Sequence, residues 1–289
     1  MKTIFLIFQM GKVGSTSIYY GLKDCISNDP DILCFHAHNL SPNGLSILRD
    51  MASNGLMIQR SADYFRHQLA DTEKLFTLLE EARQKKEPVR IITAVREPIG
   101  HAISSVFENL DVVLPLHPLT DLEDTSRYLI SALQAMFHEE ARNALHSTYI
   151  KTFASLMFAA RRWLDEELLP VFDIDIYNHA FDTKSGYHII HHENIQLFIY
   201  RFDKLQQAIP ALTDFINANT NMPFSMPKTN SGDEKATSKL YKNVRENFTL
   251  PTNVLEALFS SRYCQHFFSK EEIEDYIKRY TMLTPLTAA

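Results

Sequence analysis

The chain has 289 residues, of which 45% are hydrophobic and 22% charged, with a formal net charge of -6 and a sequence pI near 6.1. These proportions are ordinary for a folded globular protein, and they exclude a disordered or fibrous chain. The negative charge provides no overall field that attracts nucleic acid. We therefore expect no nucleic-acid partner, and we expect a local cluster of donors to bind any anionic ligand.

Signals for export or membrane insertion are weak. The apolar run at the N-terminus is too short for a signal-peptide core, and no later segment approaches a transmembrane span. The cysteines are widely scattered, which suits free thiols in a reducing compartment: Cys25, Cys34 and Cys264. We expect a cytoplasmic protein without a transmembrane segment. Since no repeat or linker divides residues 1–289, we also expect a single domain, of unknown oligomeric state.

A strand, a glycine-bearing loop and a helix open the chain. Residues 3–8 form an apolar run typical of a strand buried on both faces, and the hydroxyl residues 15–17 suit the first turn of a helix. Such a turn aims backbone N–H groups and the positive end of the helix dipole at one point, which favours an anion such as phosphate. The predicted anion-binding residues are Gly11, Lys12, Val13, Gly14, Ser15, Thr16 and Ser17.

The position of the lysine separates this loop from the loop of kinases and ATPases. In those proteins the lysine directly precedes the hydroxyl residue, whereas Lys12 lies three residues before Ser15. The sequence Lys-x-Gly-Ser-Thr-Ser after an N-terminal strand resembles the 5′-phosphosulfate loop of sulfotransferases, which use 3′-phosphoadenosine 5′-phosphosulfate (PAPS). Those enzymes usually carry proline at the position of Gly11. The resemblance implies that Lys12 is catalytic and stabilises the leaving nucleotide.

Two histidines end the second predicted strand, residues 32–38. His36 and His38 are two residues apart and so face one side of the strand, at the carboxyl end where α/β sheets gather ligands. A histidine there can remove a proton from an acceptor hydroxyl. The position resembles that of the catalytic histidine in some uronyl sulfotransferases. We therefore take His38 as the candidate general base, with His36 second.

Two other interpretations of this pair stay open. Either histidine can simply bond to the backbone at a strand end. The pair can also form a metal site, but no cysteine or carboxylate lies at ligand spacing. Its possible partners in that case are His188, His191 and His192.

A second motif follows the predicted strand at residues 89–95. Arg96 stands at the carboxyl end of that strand, Pro98 suits the first helical position, and Ser104 lies about two turns along the helix. This pattern resembles the 3′-phosphate motif of sulfotransferases. The resemblance implies that Arg96 and Ser104 bind the 3′-phosphate, although His101 replaces a frequent arginine. A strand cap and an ordinary helix hydroxyl are the structural alternative.

The second half of the chain is less specific. Residues 172–177 and 186–190 alternate in polarity and predict a β-hairpin or an extended excursion, and residues 195–200 predict a further buried strand. A polar loop at residues 222–242 offers donors that could complete the nucleotide site, although a solvated surface loop is the stronger interpretation. Those donors are Lys228, Asn230 and Lys235. The C-terminal helices resemble the tail of bacterial proteins classed with capsule-synthesis sulfotransferases.

These observations predict a P-loop-type α/β fold, with a mainly parallel sheet flanked by helices and a β-hairpin excursion. The resemblance implies in-line sulfuryl transfer from PAPS to a hydroxyl acceptor, with adenosine 3′,5′-diphosphate as the product. That scheme requires no metal. The acceptor stays open between a glycan, a lipid and a small alcohol. The alternatives are a P-loop nucleotide or metabolite kinase, and a non-catalytic nucleotide-binding interaction protein.

Overall fold

A computed structural model describes residues 2–27, 29–54, 62–108, 110, 121–141, 159–218, 220, 223–226 and 237–281. The chain separates into two compact units by the density of its contacts. The first comprises Met1–Arg96 and Arg162–Ser231, and the second comprises Glu97–Arg161 and Gly232–Ala289. The prediction of a single domain stays a prediction.

The first unit contains a five-stranded sheet with the strand order β2-β1-β3-β5-β4. Strands β2, β1, β3 and β5 are parallel, and β4 runs antiparallel to β5 at one edge. The strands are β1 (Thr3–Phe8), β2 (Ile32–Ala37), β3 (Val89–Val95), β4 (Tyr187–His192) and β5 (Ile195–Arg201).

The helices have the following bounds in chain order, with a π-helical turn at Leu164–Leu168 between α6 and α7 and short 3₁₀ turns at Ile176–Asn178 and Phe202–Lys204. They are α1 (Ser15–Ile26), α2 (Pro42–Asn54), α3 (Ala62–Lys85), α4 (Pro98–Glu108), α5 (Leu122–Ala141), α6 (Ala159–Trp163), α7 (Leu169–Phe172), α8 (Leu205–Asn217), α9 (Ser238–Asn247), α10 (Thr252–Phe259), α11 (Arg262–Phe267) and α12 (Lys270–Tyr280).

The central strands are buried as their apolar sequences predict. Residues 4–8 of β1 and residues 91–95 of β3 are buried throughout, because parallel strands covered on both faces need apolar side chains on both. In the register of the sheet, Ile7 lies between His36 and Ile92. The carboxyl ends of β2, β1 and β3 therefore share one edge, and the turns that follow them begin there.

The prediction of an α/β fold with a mainly parallel sheet is confirmed at that level. The interpretation of residues 172–177 and 186–190 as the two strands of a hairpin is wrong: Phe172 ends a helix, residues 176–178 form a 3₁₀ turn, and β4 forms its hairpin with β5 instead. The turn between these strands has Glu193 in the left-handed region, with φ 49°. Residues 172–177 leave a helix and enter a 3₁₀ turn, so their alternating polarity does not indicate a strand.

The second unit is helical over its described residues. Glu97 accepts hydrogen bonds from the backbone N–H groups of Ile99 (2.6 Å) and Gly100 (2.7 Å), so its carboxylate caps the start of α4. A capping box formed by Ser269 and Glu272 begins α12. None of the helices in the described part of the chain is both long and apolar enough to cross a bilayer.

Candidate functional site

The loop between β1 and α1 has an unusual backbone. Lys12 has φ 65° and Gly14 has φ 82°, so both lie in the left-handed region, which a residue other than glycine rarely adopts. Gly14 is the N-cap of α1 and provides no side-chain hydrogen bond to the helix. The backbone of the loop therefore turns twice to bring the start of α1 to the sheet edge. Strain of this kind is often found at ligand-binding sites.

The two glycines of the loop differ in their surroundings. A Cβ atom on Gly14 would lie 3.2 Å from the ring of Phe202, in a conformation that already disfavours a side chain. A Cβ atom on Gly11 would meet nothing within 4 Å in the described structure. Gly14 is thus required by the fold itself, whereas the protein's own packing does not require glycine at position 11.

Arg96 joins the two sequence motifs. From the carboxyl end of β3, its Nη1 donates a 2.7 Å hydrogen bond to the carbonyl oxygen of Lys12. The guanidinium carbon lies 4.6 Å from the centre of the Phe202 ring, at a distance typical of a cation–π contact. The arginine predicted to bind a 3′-phosphate therefore also supports the loop predicted to bind the 5′-phosphate.

Tyr200 supports the same loop from the sheet. This residue of β5 is fully buried, and its hydroxyl donates to the carbonyl oxygen of Val13 at 3.1 Å. Burial raises the pKa of the Tyr200 phenol, because an ionised phenolate would lose its hydration. The hydroxyl thus keeps the proton that it donates to the loop.

His38 lies beside the entrance of the loop. Its Nδ1 is 2.6 Å from the carbonyl oxygen of Gln9, the residue that follows β1. Since a carbonyl oxygen can only accept a hydrogen bond, Nδ1 carries the proton. In the neutral ring the lone pair is then on Nε2, the atom that a general base would use.

His36 has a different environment from that of its neighbour. Its ring is 4.7 Å from that of His38 and 5.5 Å from that of Tyr19. Its Nε2 is buried and has no hydrogen-bond partner among the described residues. Burial, followed by the charge of His38, lowers the pKa of His36 to about 3. His36 is therefore a weak base, and the geometry favours His38 of the two candidates.

The turn that follows His38 is held by the helical segment at residues 159–172. Trp163 Nε1 donates to the carbonyl oxygen of His38 at 2.8 Å. The Glu167 carboxylate accepts from the backbone N–H groups of Leu40 and Ser41, both at 2.8 Å, and from the Ser41 hydroxyl at 3.0 Å. Burial raises the pKa of Glu167, and these hydrogen bonds partly offset that effect.

The remaining predicted nucleotide contacts belong to the second unit or fall outside the described residues. Ser104 is half-buried in the second turn of α4, and the His101 side chain is fully buried in the same helix. Both belong to the second unit, and the role predicted for Ser104 stays a prediction. Three predicted nucleotide contacts lie outside the described residues: Lys228, Asn230 and Lys235. In the part of the chain that is described, no three histidine, cysteine or acidic side chains gather as a metal site would require.

Comparison with known protein families gives a match to part of the chain. Residues 136–269 match the family model NKWYS, which is described as "Putative capsular polysaccharide synthesis protein". No curated protein and no solved structure matches the chain. The matched region contains β4, β5, Trp163 and Glu167, but it begins after the loop of β1 and after Arg96. The match thus covers less than half of the chain and leaves the N-terminal motifs unmatched.

Sequence reasoning missed the residues that support the site. In the sequence, Phe202 follows the predicted strand at residues 195–200, Trp163 lies among apolar residues typical of a core, and Glu167 is one of three consecutive acidic residues. A run of acidic residues in a helix usually indicates a solvated face, so no sequence signal marked the one that turns inward. Glu167 lies in the π-helical turn at residues 164–168, and sequence periodicity does not reveal such a turn.

Proposed function

We propose that this protein is a sulfotransferase that moves a sulfuryl group from PAPS to a hydroxyl acceptor by in-line transfer. The observation that carries this proposal is the hydrogen bond between Arg96 and the carbonyl oxygen of Lys12. It joins, at neighbouring strand ends, the two motifs whose spacing resembles the sulfotransferase nucleotide site. A bipartite site of this kind suits a nucleotide with phosphates at both ends of its ribose.

The loop residues supply charge stabilisation in this proposal. The backbone N–H groups from Gly11 to Ser17, together with the hydroxyls of residues 15–17, bind the 5′-phosphate. Lys12 stabilises the negative charge that develops on the bridging oxygen of the nucleotide as it leaves. Arg96 binds the 3′-phosphate, and its contact with the loop couples that binding to the position of Lys12.

His38 supplies proton transfer. Its Nε2 removes the proton from the acceptor hydroxyl while the acceptor oxygen forms a bond to sulfur. The bond between sulfur and the bridging phosphate oxygen breaks, and the electron pair stays on adenosine 3′,5′-diphosphate. The products are a sulfate ester, the diphosphate and a protonated His38. The hydrogen bond from Nδ1 to the Gln9 carbonyl stabilises that protonated ring.

A carbohydrate is the acceptor class that we propose. The family model that matches residues 136–269 is described by capsular polysaccharide synthesis, which supports a sugar hydroxyl over a lipid or small alcohol. That description names no sulfuryl transfer. The transfer itself therefore depends on the N-terminal loop, Lys12 and Arg96.

Calorimetric titration of the purified protein with adenosine 3′,5′-diphosphate tests the proposal. ATP with Mg²⁺ and adenosine 5′-monophosphate serve as competitors. We expect binding that depends on the 3′-phosphate. Preference for ATP with Mg²⁺ would favour a kinase. Failure to bind any of the three nucleotides would contradict a nucleotide site. Transfer of ³⁵S from labelled PAPS to oligosaccharides then tests catalysis separately from binding.

A further inference from the structure

The turn that carries His38 is bonded at both of its ends to one helical segment. The carbonyl oxygen of His38 accepts from Trp163, while Leu40 and Ser41 donate to Glu167. From this geometry we infer that Trp163 and Glu167 are positioning residues that fix the orientation of the His38 imidazole. The inference rests on the proposed function for its catalytic meaning, but the orientation of the ring can be measured without it.

The bond from Trp163 fixes the backbone of His38 where the strand ends. Trp163 is 4% exposed, and its ring packs 4.6 Å from that of Phe8, the last residue of β1. The indole therefore cannot move without opening the core of the first unit. Its N–H group donates to His38 over 2.8 Å, so the peptide plane that follows the histidine is held against this core.

Glu167 fixes the other end of the turn. One carboxylate oxygen accepts from both backbone N–H groups, and the other accepts from the Ser41 hydroxyl, which in turn accepts from the N–H group of Gly44. Glu167 is only 5% exposed, so these bonds replace the water that the carboxylate loses. The start of α2 is thereby attached to the same helical segment as His38.

The carboxylate packs directly against the first turn of α2. A Cβ atom on Gly44 would lie 2.1 Å from Glu167 Oε1, so the first turn of α2 is in direct contact with it. Trp163 and Glu167 are four residues apart across the π-helical turn Leu164–Leu168. They therefore reach the turn from one face of one rigid element, as the positioning of a catalytic side chain requires.

The consequence for His38 concerns which nitrogen faces the acceptor. With its backbone held, the ring places Nδ1 against the Gln9 carbonyl, and Nε2 points away from that bond. If the turn relaxes, the ring can rotate and lose this bond, and the neutral ring can adopt the other tautomer. A rotated ring then presents the wrong nitrogen or the wrong distance to the acceptor hydroxyl. A displacement of about 1 Å is enough to lower a rate by roughly a hundredfold.

Nitrogen-15 NMR of histidine-labelled protein tests the inference directly, with His38→Asn used to assign the signal. We expect wild-type His38 to be the tautomer protonated at Nδ1, and Glu167→Ala to shift it toward a mixture of tautomers. The matched control is Glu166→Ala, which removes an exposed carboxylate from the next position and should leave the His38 spectrum unchanged. An unchanged His38 spectrum in Glu167→Ala would overturn the inference.

Steady-state kinetics add a second test, because a purely structural role of Glu167 would not lower kcat while leaving KM unchanged. We expect Glu167→Ala to lower kcat for sulfuryl transfer about tenfold to a hundredfold, with little change in KM for PAPS. Glu167→Gln should recover most of the rate, because the amide oxygen can accept from the two backbone N–H groups and its NH₂ can donate to Ser41. Equal losses in both variants would contradict positioning through these hydrogen bonds.

A second variant covers a failure of Glu167→Ala to fold. Trp163→Phe keeps an aromatic ring in the core and removes only the donor to the His38 carbonyl, so it should also shift the His38 tautomer. An unchanged tautomer there would overturn the role of Trp163. The two proposals fail separately. A protein that binds no adenosine 3′,5′-diphosphate but shows the tautomer shift keeps the positioning and loses the proposed reaction.

Discussion

Two turns at the same edge of the sheet begin their helices in opposite ways. The turn after β2 leads into α2 and is bonded to a buried carboxylate, since Glu167 accepts from Leu40 and Ser41. The turn after β1 leads into α1 through Gly14, which provides no side-chain acceptor. The turn after β2 is thus fixed by the carboxylate of Glu167. The turn after β1 instead has two cationic side chains, because Lys12 belongs to it and Arg96 donates to it.

The difference indicates that the two turns have different roles. A helix start attracts negative charge, and the β2 turn satisfies that preference internally. At the β1 turn the backbone instead adopts the left-handed conformation at Lys12 and Gly14, and the first turn of α1 has no acidic side chain. We therefore expect the β2 turn to act as a rigid support and the β1 turn to bind the substrate anion.

The strongest test of this comparison removes the lysine of the β1 turn. Lys12→Ala should lower kcat for transfer by about 10²–10³, because a charge that stabilises the leaving oxygen is lost. Alanine at position 12 has to adopt the same left-handed backbone, φ 65°, as the lysine, so the change tests the side chain alone. Radiolabel transfer from PAPS measures it, and Lys74→Ala, at an exposed position of α3, is the control. Undiminished turnover would remove Lys12 from the reaction.

Replacement of the arginine separates its two contacts. Arg96→Ala should weaken the binding of adenosine 3′,5′-diphosphate by about 1.5–3 kcal/mol, as expected when a charged hydrogen-bond pair is lost. Binding of adenosine 5′-monophosphate should weaken less, and only through the loosened loop. Calorimetry on both nucleotides measures the difference, with the exposed Arg49→Ala as the control. Equal losses would assign Arg96 to support of the loop alone.

The two glycines of the β1 turn sharpen the comparison further. Gly14→Ala should lower the free energy of unfolding by about 1–3 kcal/mol, because φ 82° and the Phe202 ring both oppose a side chain. Gly11→Ala should stay within about 0.5 kcal/mol of wild type, since its Cβ meets open space. Urea unfolding without nucleotide measures both values. If Gly11→Ala lost as much stability as Gly14→Ala, the fold and not the ligand would require glycine at position 11.

The smallest effect is the pH dependence of folding stability that His36, near the end of β2, contributes. His36 has a pKa lowered to about 3, so the unfolded chain binds more protons than the folded chain between that value and about 6.5. The stabilisation from a neutral His36 is present above pH 6.5 and is lost as the pH falls through this window. His36→Phe should therefore be less acid-sensitive than wild type, by on the order of 1–2 kcal/mol between about pH 7 and 4. Parallel pH dependences of unfolding would show that His36 is hydrated.

Several parts of this arrangement could be predicted from the sequence. The buried runs of β1 and β3 are almost wholly apolar, so both strands and the turns that follow them were placed correctly. Proline at position 98 marked the start of α4. With parallel strands established, the meeting of Lys12 and Arg96 at one edge follows from topology.

The support of the site could not be predicted, because it comes from distant parts of the chain. Trp163 and Glu167 contact the β2 turn across more than 120 residues of sequence, with separations of 125 and 127 residues for the bonds to His38 and Leu40. Tyr200 contacts Val13 across 187 residues. No local pattern encodes such contacts. Composition even argued against the inward orientation of Glu167, since acidic runs usually face water.

The π-helical turn at Leu164–Leu168 makes the length of this segment as significant as its composition. A π-helical turn accommodates one residue more than an α-helical turn, and it corresponds to a single-residue insertion in an ordinary helix. Deleting one residue between Trp163 and Glu167 would restore a regular helix in which the glutamate follows the tryptophan by three residues instead of four. The four-residue spacing of the two side chains that hold the turn after β2 therefore depends on the length of this segment and not only on its composition.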